Sequence, residues 1–290
     1  MKNMKKLIPA LAMLVLSAVM MSTASFAWFS MNTQVQVDGI KVDAVAPVYI
    51  SIRKGAEDWG TSIEETTIDA KLIPADANAD LSKWLAIDPD KFVTTTGGGV
   101  VGTSGVASVS EDIVKDVAAN GTVKFTDGGT EHTAFIKLSY DFTLQNSIGE
   151  GKKVQIYLKQ LILDDTLKTM KGCLRVAITN EAGIVLGVYG AGATDTYNPL
   201  KKGTGVYEAD TENPVSIVSG SLVTDSGKDT VTYTHAAGNA VDLPVYNGTD
   251  NEVTLNVYIW FEGQDADCIN ANANGGFGIT LIWGSEEVAA

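Results

Sequence analysis

Phe135-Ile136-Lys137-Leu138-Ser139-Tyr140-Asp141-Phe142 and Leu255-Asn256-Val257-Tyr258-Ile259-Trp260-Phe261 decide the fold class. In the first, Ile136, Leu138, Tyr140 and Phe142 alternate with Lys137, Ser139 and Asp141. In the second, Leu255, Val257, Ile259 and Phe261 take every other place. A period of two puts these apolar side chains on one face of an extended chain. Outward from them, strand signals recur at Val48 to Arg53, Thr133 to Gln145, Lys153 to Leu163, Cys173 to Thr179 and Ile184 to Tyr189. They continue at Ser221 to Thr224, Thr230 to His235, Ala240 to Val245, Val253 to Phe261 and Phe277 to Trp283. Gly, Asn and Asp clusters separate the runs and helical periodicity is scarce, so the expected class is all-β, an antiparallel sandwich.

The texture changes between Lys54 and Thr130. Asp80 to Ile87 and Ser108 to Ala119 read as short helices among Gly- and Thr-rich loops, the second with Ser110 as a cap and Val109, Ile113 and Val117 on one face. This segment is expected to be an insertion at one end of the sandwich. A second polar, Gly-rich excursion, Gly190 to Asn213, reads as exposed loop.

At the N-terminus, Lys2, Lys5 and Lys6 precede an apolar run from Leu7 to Val19, and Ser25-Phe26-Ala27 places small residues where a signal peptidase reads them. The expected cut follows Ala27; the competing reading is an uncleaved anchor over Leu7 to Phe29. From Trp28 an alternating segment begins with no linker: Phe29, Met31, Thr33, Val35 and Val37 on one face, Ser30, Asn32, Gln34 and Gln36 on the other. Asp38-Gly39 marks a bulge that shifts the phase, and the apolar face resumes at Ile40, Val42 and Ala44. The expected organisation is a signal peptide over 1–27, an N-terminal donor strand over 28–44 and a sandwich domain over 45–290, with the insertion at about 54–130.

The formal net charge is -14, and loss of the signal lysines makes the remainder more acidic still. Nucleic acid and anionic lipid both need a basic footprint that this chain lacks, and a membrane is met only through the signal segment before cleavage. Cys173 and Cys268 are the two cysteines. In an exported chain they are compatible with one disulfide, worth about 4 kcal/mol by chain entropy for a loop of that length, or with two buried thiols.

Motifs for chemistry are sparse. Gly97-Gly98-Gly99-Val100-Val101-Gly102 matches G-x-G-x-x-G, but Thr103-Ser104-Gly105 is a poor helix start and no βαβ unit surrounds it, so it reads as a loop. His132 and His235 are the two histidines, with neither H-E-x-x-H nor G-x-S-x-G, and no enzyme is expected. Asn270-Ala271-Asn272-Ala273-Asn274-Gly275 has calcium-loop spacing, with Glu262, Asp265 and Asp267 upstream. Position twelve is Leu281, so a turn between strands is the main reading and weak calcium at Asp265 and Asp267 the minority one. No other cofactor is expected.

The Trp28 to Ala44 junction and Tyr258-Ile259-Trp260-Phe261-Glu262-Gly263-Gln264-Asp265-Ala266-Asp267-Cys268 resemble the TasA/camelysin-like proteins exported by Gram-positive bacteria. The residues that match the family's junction are Ala27, before the cut, and the aromatic pair Trp28 and Phe29 after it. The resemblance implies removal by a dedicated type I signal peptidase and a jelly-roll-like sandwich. It also implies biofilm fibres in which one subunit's N-terminal strand completes a neighbour's sheet. Some relatives are described as metalloproteases, a role for which this chain lacks the zinc motif.

The expected function is therefore a secreted structural subunit of the extracellular matrix or cell surface that polymerises head-to-tail with itself by donor-strand complementation. Phe29, Met31, Val35 and Val37 would be the plugs, and other matrix proteins or polysaccharide are further partners. A strand with unpaired backbone groups is a physical reason for such a contact, and a contact that does not close propagates. The rival is a monomeric calcium-dependent adhesin or carbohydrate-binding module using exposed aromatics such as Trp59, Trp84 or Tyr197. A Leu-Pro-x-Thr-Gly signal is absent from the sequence, so covalent pilus assembly is not expected.

Overall fold

The two stretches that alternate most cleanly pair with each other: Ile136 lies opposite Ile259, Leu138 opposite Val257, Tyr140 opposite Leu255 and Phe142 opposite Val253. In this computed structural model the described residues are 40–47, 50–64, 68, 72–88, 108–125, 131–144, 153–164, 171–191, 196–243, 252–263 and 277–288. Among them the structure is an all-β sandwich. Its strands are β1 (Lys41–Val45), β2 (Ile50–Arg53), β3 (Ser62–Glu64), β4 (Ile136–Leu144), β5 (Lys153–Asp164) and β6 (Leu174–Asn180). They continue with β7 (Val185–Gly190), β8 (Gly220–Asp225), β9 (Lys228–Tyr233), β10 (Ala240–Leu243), β11 (Glu252–Phe261) and β12 (Gly278–Val288).

The seven-stranded sheet runs β8-β9-β5-β12-β1-β3, with β10 also pairing β5; the five-stranded sheet runs β7-β6-β11-β4-β2. The chain alternates between the sheets from β1 to β6 and again from β10 to β12, while β6–β7 and β8–β9–β10 each stay within one sheet, and the alternating faces meet in one core. Val42, Ala44, Leu161, Leu163, Leu281 and Trp283 come from the larger sheet, and Tyr140, Phe142, Val176, Val257, Ile259 and Phe261 from the smaller. Phe142 meets Trp283 edge-to-face across the layers, with ring centroids 5.0 Å apart. One pairing departs from the antiparallel expectation: β1 runs parallel to β12, with Val42 opposite Ile279 and Ala44 opposite Leu281.

Strands β6 and β11 are buried on both faces, because a second layer covers the outside of the smaller sheet. Ile73, Ala75, Trp84, Phe125, Phe135, Tyr197 and Val215 pack there against Ala177, Val188 and Trp260. The insertion therefore lies across a sheet face rather than on one end of the sandwich. Its two expected helices are corrected as well. Around Asp80 the polar side chains capture the backbone: Lys83 N donates to Asn78 Oδ1 at 2.9 Å and Ser82 N to Asp80 Oδ1 at 3.1 Å. Leu81 adopts φ 58, closing a turn from which Trp84–Ile87 emerges as a fully buried strand. Ser108–Ser110 and Val114–Asp116 are strands flanking a single 3-10 turn, Glu111–Ile113. Nor is 190–213 simply exposed loop: Tyr197, Leu200, Tyr207 and Ala209 are buried. Inside the expected insertion, Ser62–Glu64 belongs to the large sheet, paired with β1.

Asp225-Ser226-Gly227-Lys228 joins β8 to β9 through a two-residue turn, with Ser226 at φ 50 and Gly227 at φ 77, the type I′ conformation that matches strand twist. Serine bears a left-handed cost there that asparagine largely avoids. Ser226→Asn is expected to stabilise the chain by up to about 1 kcal/mol, read as a higher urea midpoint; an unchanged or lower midpoint would contradict this.

Candidate assembly surface

Two features of the large sheet stand out: where the N-terminal segment enters it, and the edge that is unpaired among the described residues. Ile40, Val42 and Ala44 are fully buried, the terminal reach of an alternating segment that runs on from residue 28. Lys41 N donates to Phe277 O at 2.9 Å, and Ile40 and Ile68 exchange amide bonds of 3.2 and 2.7 Å. β1 is thus paired with β12 from its first residue, and on its other side it is held by Ile68 at Ile40 and by β3 from Asp43. This part of the 28–44 stretch is a strand of its own domain, which limits any donated portion to residues 28–39. Phe29, Met31, Val35 and Val37 lie outside the described residues.

At this end of the sheet Lys41 Nζ is 3.1 Å from Asp43 Oδ2. Its bond to Asp43, with the charges of Glu64 and Asp164 behind it, raises the amine above its ordinary value. A Cβ on Gly278, opposite Lys41, would meet the Asp164 carboxylate and displace that side chain.

The opposite edge is β8. Its residues are all exposed, among them Leu222 at 44% and Val223 at 61%. The β8–β9 hairpin is fixed from behind: Lys171 Nζ donates to Asp229 Oδ2 at 2.5 Å, and Thr224 Oγ1 donates to Asp229 Oδ1. Burial pushes the Asp229 carboxyl up, but the Lys171 and Thr224 bonds outweigh it and hold it below its ordinary 3.8. A lowered carboxyl stabilises the fold above the unfolded value and loses that contribution as pH falls through the folded one. Asp229→Asn should therefore lower the urea midpoint at neutral pH, and the difference from the unaltered chain should shrink as pH falls through the folded carboxyl's lowered value. A difference independent of pH would contradict the pairing.

Beneath the second layer sits a buried ionic cluster that strand patterning did not reveal. Arg175 and Glu262 are 1% and 2% exposed, with Arg175 Nη2 3.9 Å from Glu262 Oε2. Arg175 Nη1 donates to the carbonyls of Gly172 at 2.5 Å and Leu174 at 3.1 Å. Asp76, 1% exposed, and Glu262 both bear on Tyr197, whose phenol is raised chiefly by burial and further by these two carboxylates. Tyr197 Oη donates to Ala77 O at 3.3 Å, and Gly263 N donates to Ala75 O at 3.2 Å, so the cluster ties sandwich to covering layer. The available signal was one arginine in the otherwise apolar run Leu174-Arg175-Val176-Ala177-Ile178.

The remaining expected residues separate. Cys173 is fully buried in the turn just before β6; Cys268, Asp265 and Asp267 lie outside the described residues, as does 97–102. Glu262 faces Arg175 inside the protein rather than an open calcium loop. Of the three aromatics taken as exposed, Trp84 and Tyr197 are core residues at 6% and 5%, and Trp59 is stacked under Arg53, whose Cζ is 4.4 Å from the ring centroid. His132 packs on Phe125 in the covering layer. His235 bridges Glu286 and Gln155 on the outside of the large sheet, so the two histidines serve different layers. Compared with protein-family models, curated proteins and solved structures, the chain matches none.

Proposed function

We propose that this chain is a secreted structural subunit, not an enzyme, that polymerises by donating the N-terminal strand of one copy to the sheet of the next, forming a fibre of the extracellular matrix or cell surface. The observation that carries this reading is the junction at Ile40. An alternating segment, uncharged from Trp28 to Val37, runs through Asp38-Gly39 without a longer linker into a strand paired on both sides, so whatever binds that segment is coupled directly to the domain. Apolar side chains at Phe29, Met31, Val35 and Val37 would each contribute roughly 1.5 to 3 kcal/mol on burial, enough to hold a junction after ordering costs. The resemblance to TasA/camelysin-like fibre proteins points the same way. The repeated crossing between the two sheets from β1 to β6 and from β10 to β12 is compatible with a jelly-roll-like arrangement.

Light scattering of the chain beginning at Trp28, followed over concentration, tests this reading. Growth to high mass above a threshold concentration is expected. A monomer mass at every concentration would contradict it.

A further inference from the structure

We infer that β8, Gly220–Asp225, is the acceptor edge, and that its occupant is the segment 28–39 of a second copy of this chain, added antiparallel to β8. The inference rests on the strand-donation reading and names the surface that reading leaves unassigned.

The other sheet edges among the described residues are short, charged or covered. β3 has three residues and carries Glu64. The outer side of β2 is occupied by Gly60, which exchanges bonds of 2.8 and 2.9 Å with Ile52. On β7, Val218 N donates to Val188 O at 2.7 Å. β10 has four residues and carries Asp242. β8 has six residues, and from Gly220 to Thr224 none is charged, on a chain of net charge -14. Edge strands that avoid pairing carry lysine, proline or inward charges, and β8 has none of these devices.

The backbone and side chains of β8 both suit an added strand. Asp225 and Lys228 close a two-residue hairpin, so the ladder alternation directs the N–H and C=O groups of Leu222 and Thr224 away from β9. Leu222 lies opposite buried Val231, which puts it on the core side of the sheet at the mouth of the sandwich. Across that mouth is the edge of the smaller sheet: Tyr233 Oη donates to Gly190 O at 3.0 Å, and Leu186 is only partly buried against the core. An added strand would line the core side of β8 with residues of the Phe29, Met31, Val35 and Val37 face and set one or two of them beside Leu222, closing the opening with apolar groups.

Topology selects the direction. β1 and β9 start, and β8 ends, at the same end of the large sheet, where Lys41, Gly278, Asp164, Lys228 and Asp225 succeed one another across the strands. A segment antiparallel to β8 enters at that end and leaves at the Gly220 end, then continues into Ile40 at the start of its own β1. The entry end of one subunit thereby follows the Gly220 end of the previous one, a head-to-tail arrangement that does not close. Parallel addition would set two equivalent ends against each other and stop growth. The twelve residues of 28–39 span about 40 Å when extended, enough to cover the six residues of β8 and still reach the next domain.

The test uses the chain beginning at Trp28, unaltered and as Leu222→Pro, which removes one outward N–H while leaving the ladder to β9 intact. Leu222→Pro is expected to raise the polymerisation threshold at least about 100-fold with a near-normal melting profile. Independently of any variant, amide hydrogen exchange at Leu222 and Thr224 should be fast in the dissociated chain and strongly slowed in the fibre. Normal polymerisation of Leu222→Pro, or fast exchange at these amides within fibres, overturns the acceptor assignment and leaves strand donation standing. If the unaltered chain forms no fibres, the strand-donation reading fails and the acceptor assignment with it.

Discussion

Removing residues 28–37 is expected to yield a folded monomer that forms no fibres, because the deletion stops short of β1. Ile40, Val42 and Ala44 remain in the core and keep their β12 and β3 partners. Val35→Asp with Val37→Asp should do the same without shortening the chain. Lost burial alone weakens each junction by roughly 3 to 6 kcal/mol for the pair, two to four orders of magnitude in affinity, and carboxylates in an apolar site add to that. The melting profile should hardly move. Fibres of normal length from either variant would exclude donation from this segment. Loss of folding in the deletion would instead place the segment within its own domain.

Arg175→Ala is expected to cost about 3 to 5 kcal/mol of stability, the largest effect of any single substitution considered. The guanidinium is almost wholly buried, and removing it leaves Glu262 and Asp76 as buried carboxylates without that cation. It also abandons the Gly172 and Leu174 carbonyls. Replacing Arg175 by Met and Glu262 by Gln together should recover most of the loss, since the charge left behind, rather than the strength of the pair, dominates the penalty. Urea unfolding of the three variants measures this. An Arg175→Ala midpoint equal to that of the unaltered chain would mean that the cluster does not hold the covering layer.

The legible part of the fold was local. Alternation in Phe135–Phe142 and Leu255–Phe261 located β4 and β11 and assigned their inward faces, because a period of two survives any tertiary context. The parallel pairing of β1 with β12 was not legible: alternation says which face a strand buries, not which strand lies beside it. The two expected helices failed for a different reason. In Asn78–Lys83 the Asn and Asp side chains bind the backbone and close a turn, and a residue count cannot separate that from a helix start.

The assembly surface divides in the same way. Phe29, Met31, Val35 and Val37 are readable from their spacing, whereas the open edge at Gly220–Asp225 appears only when its neighbours are known. Ser221 to Thr224 reads as a strand from sequence, but nothing in those residues says that β9 lies on one side and that the other is unpaired among the described residues. Arg175 was hidden because a charged residue in a strand ordinarily marks a solvent face. Here a second layer turns that face into a core.

Negative-stain electron microscopy of the chain beginning at Trp28 tests the central claim most directly. Regular thin filaments of uniform width, lost on deletion of residues 28–37, are the predicted result; isolated compact particles at concentrations well above the micromolar range would contradict it.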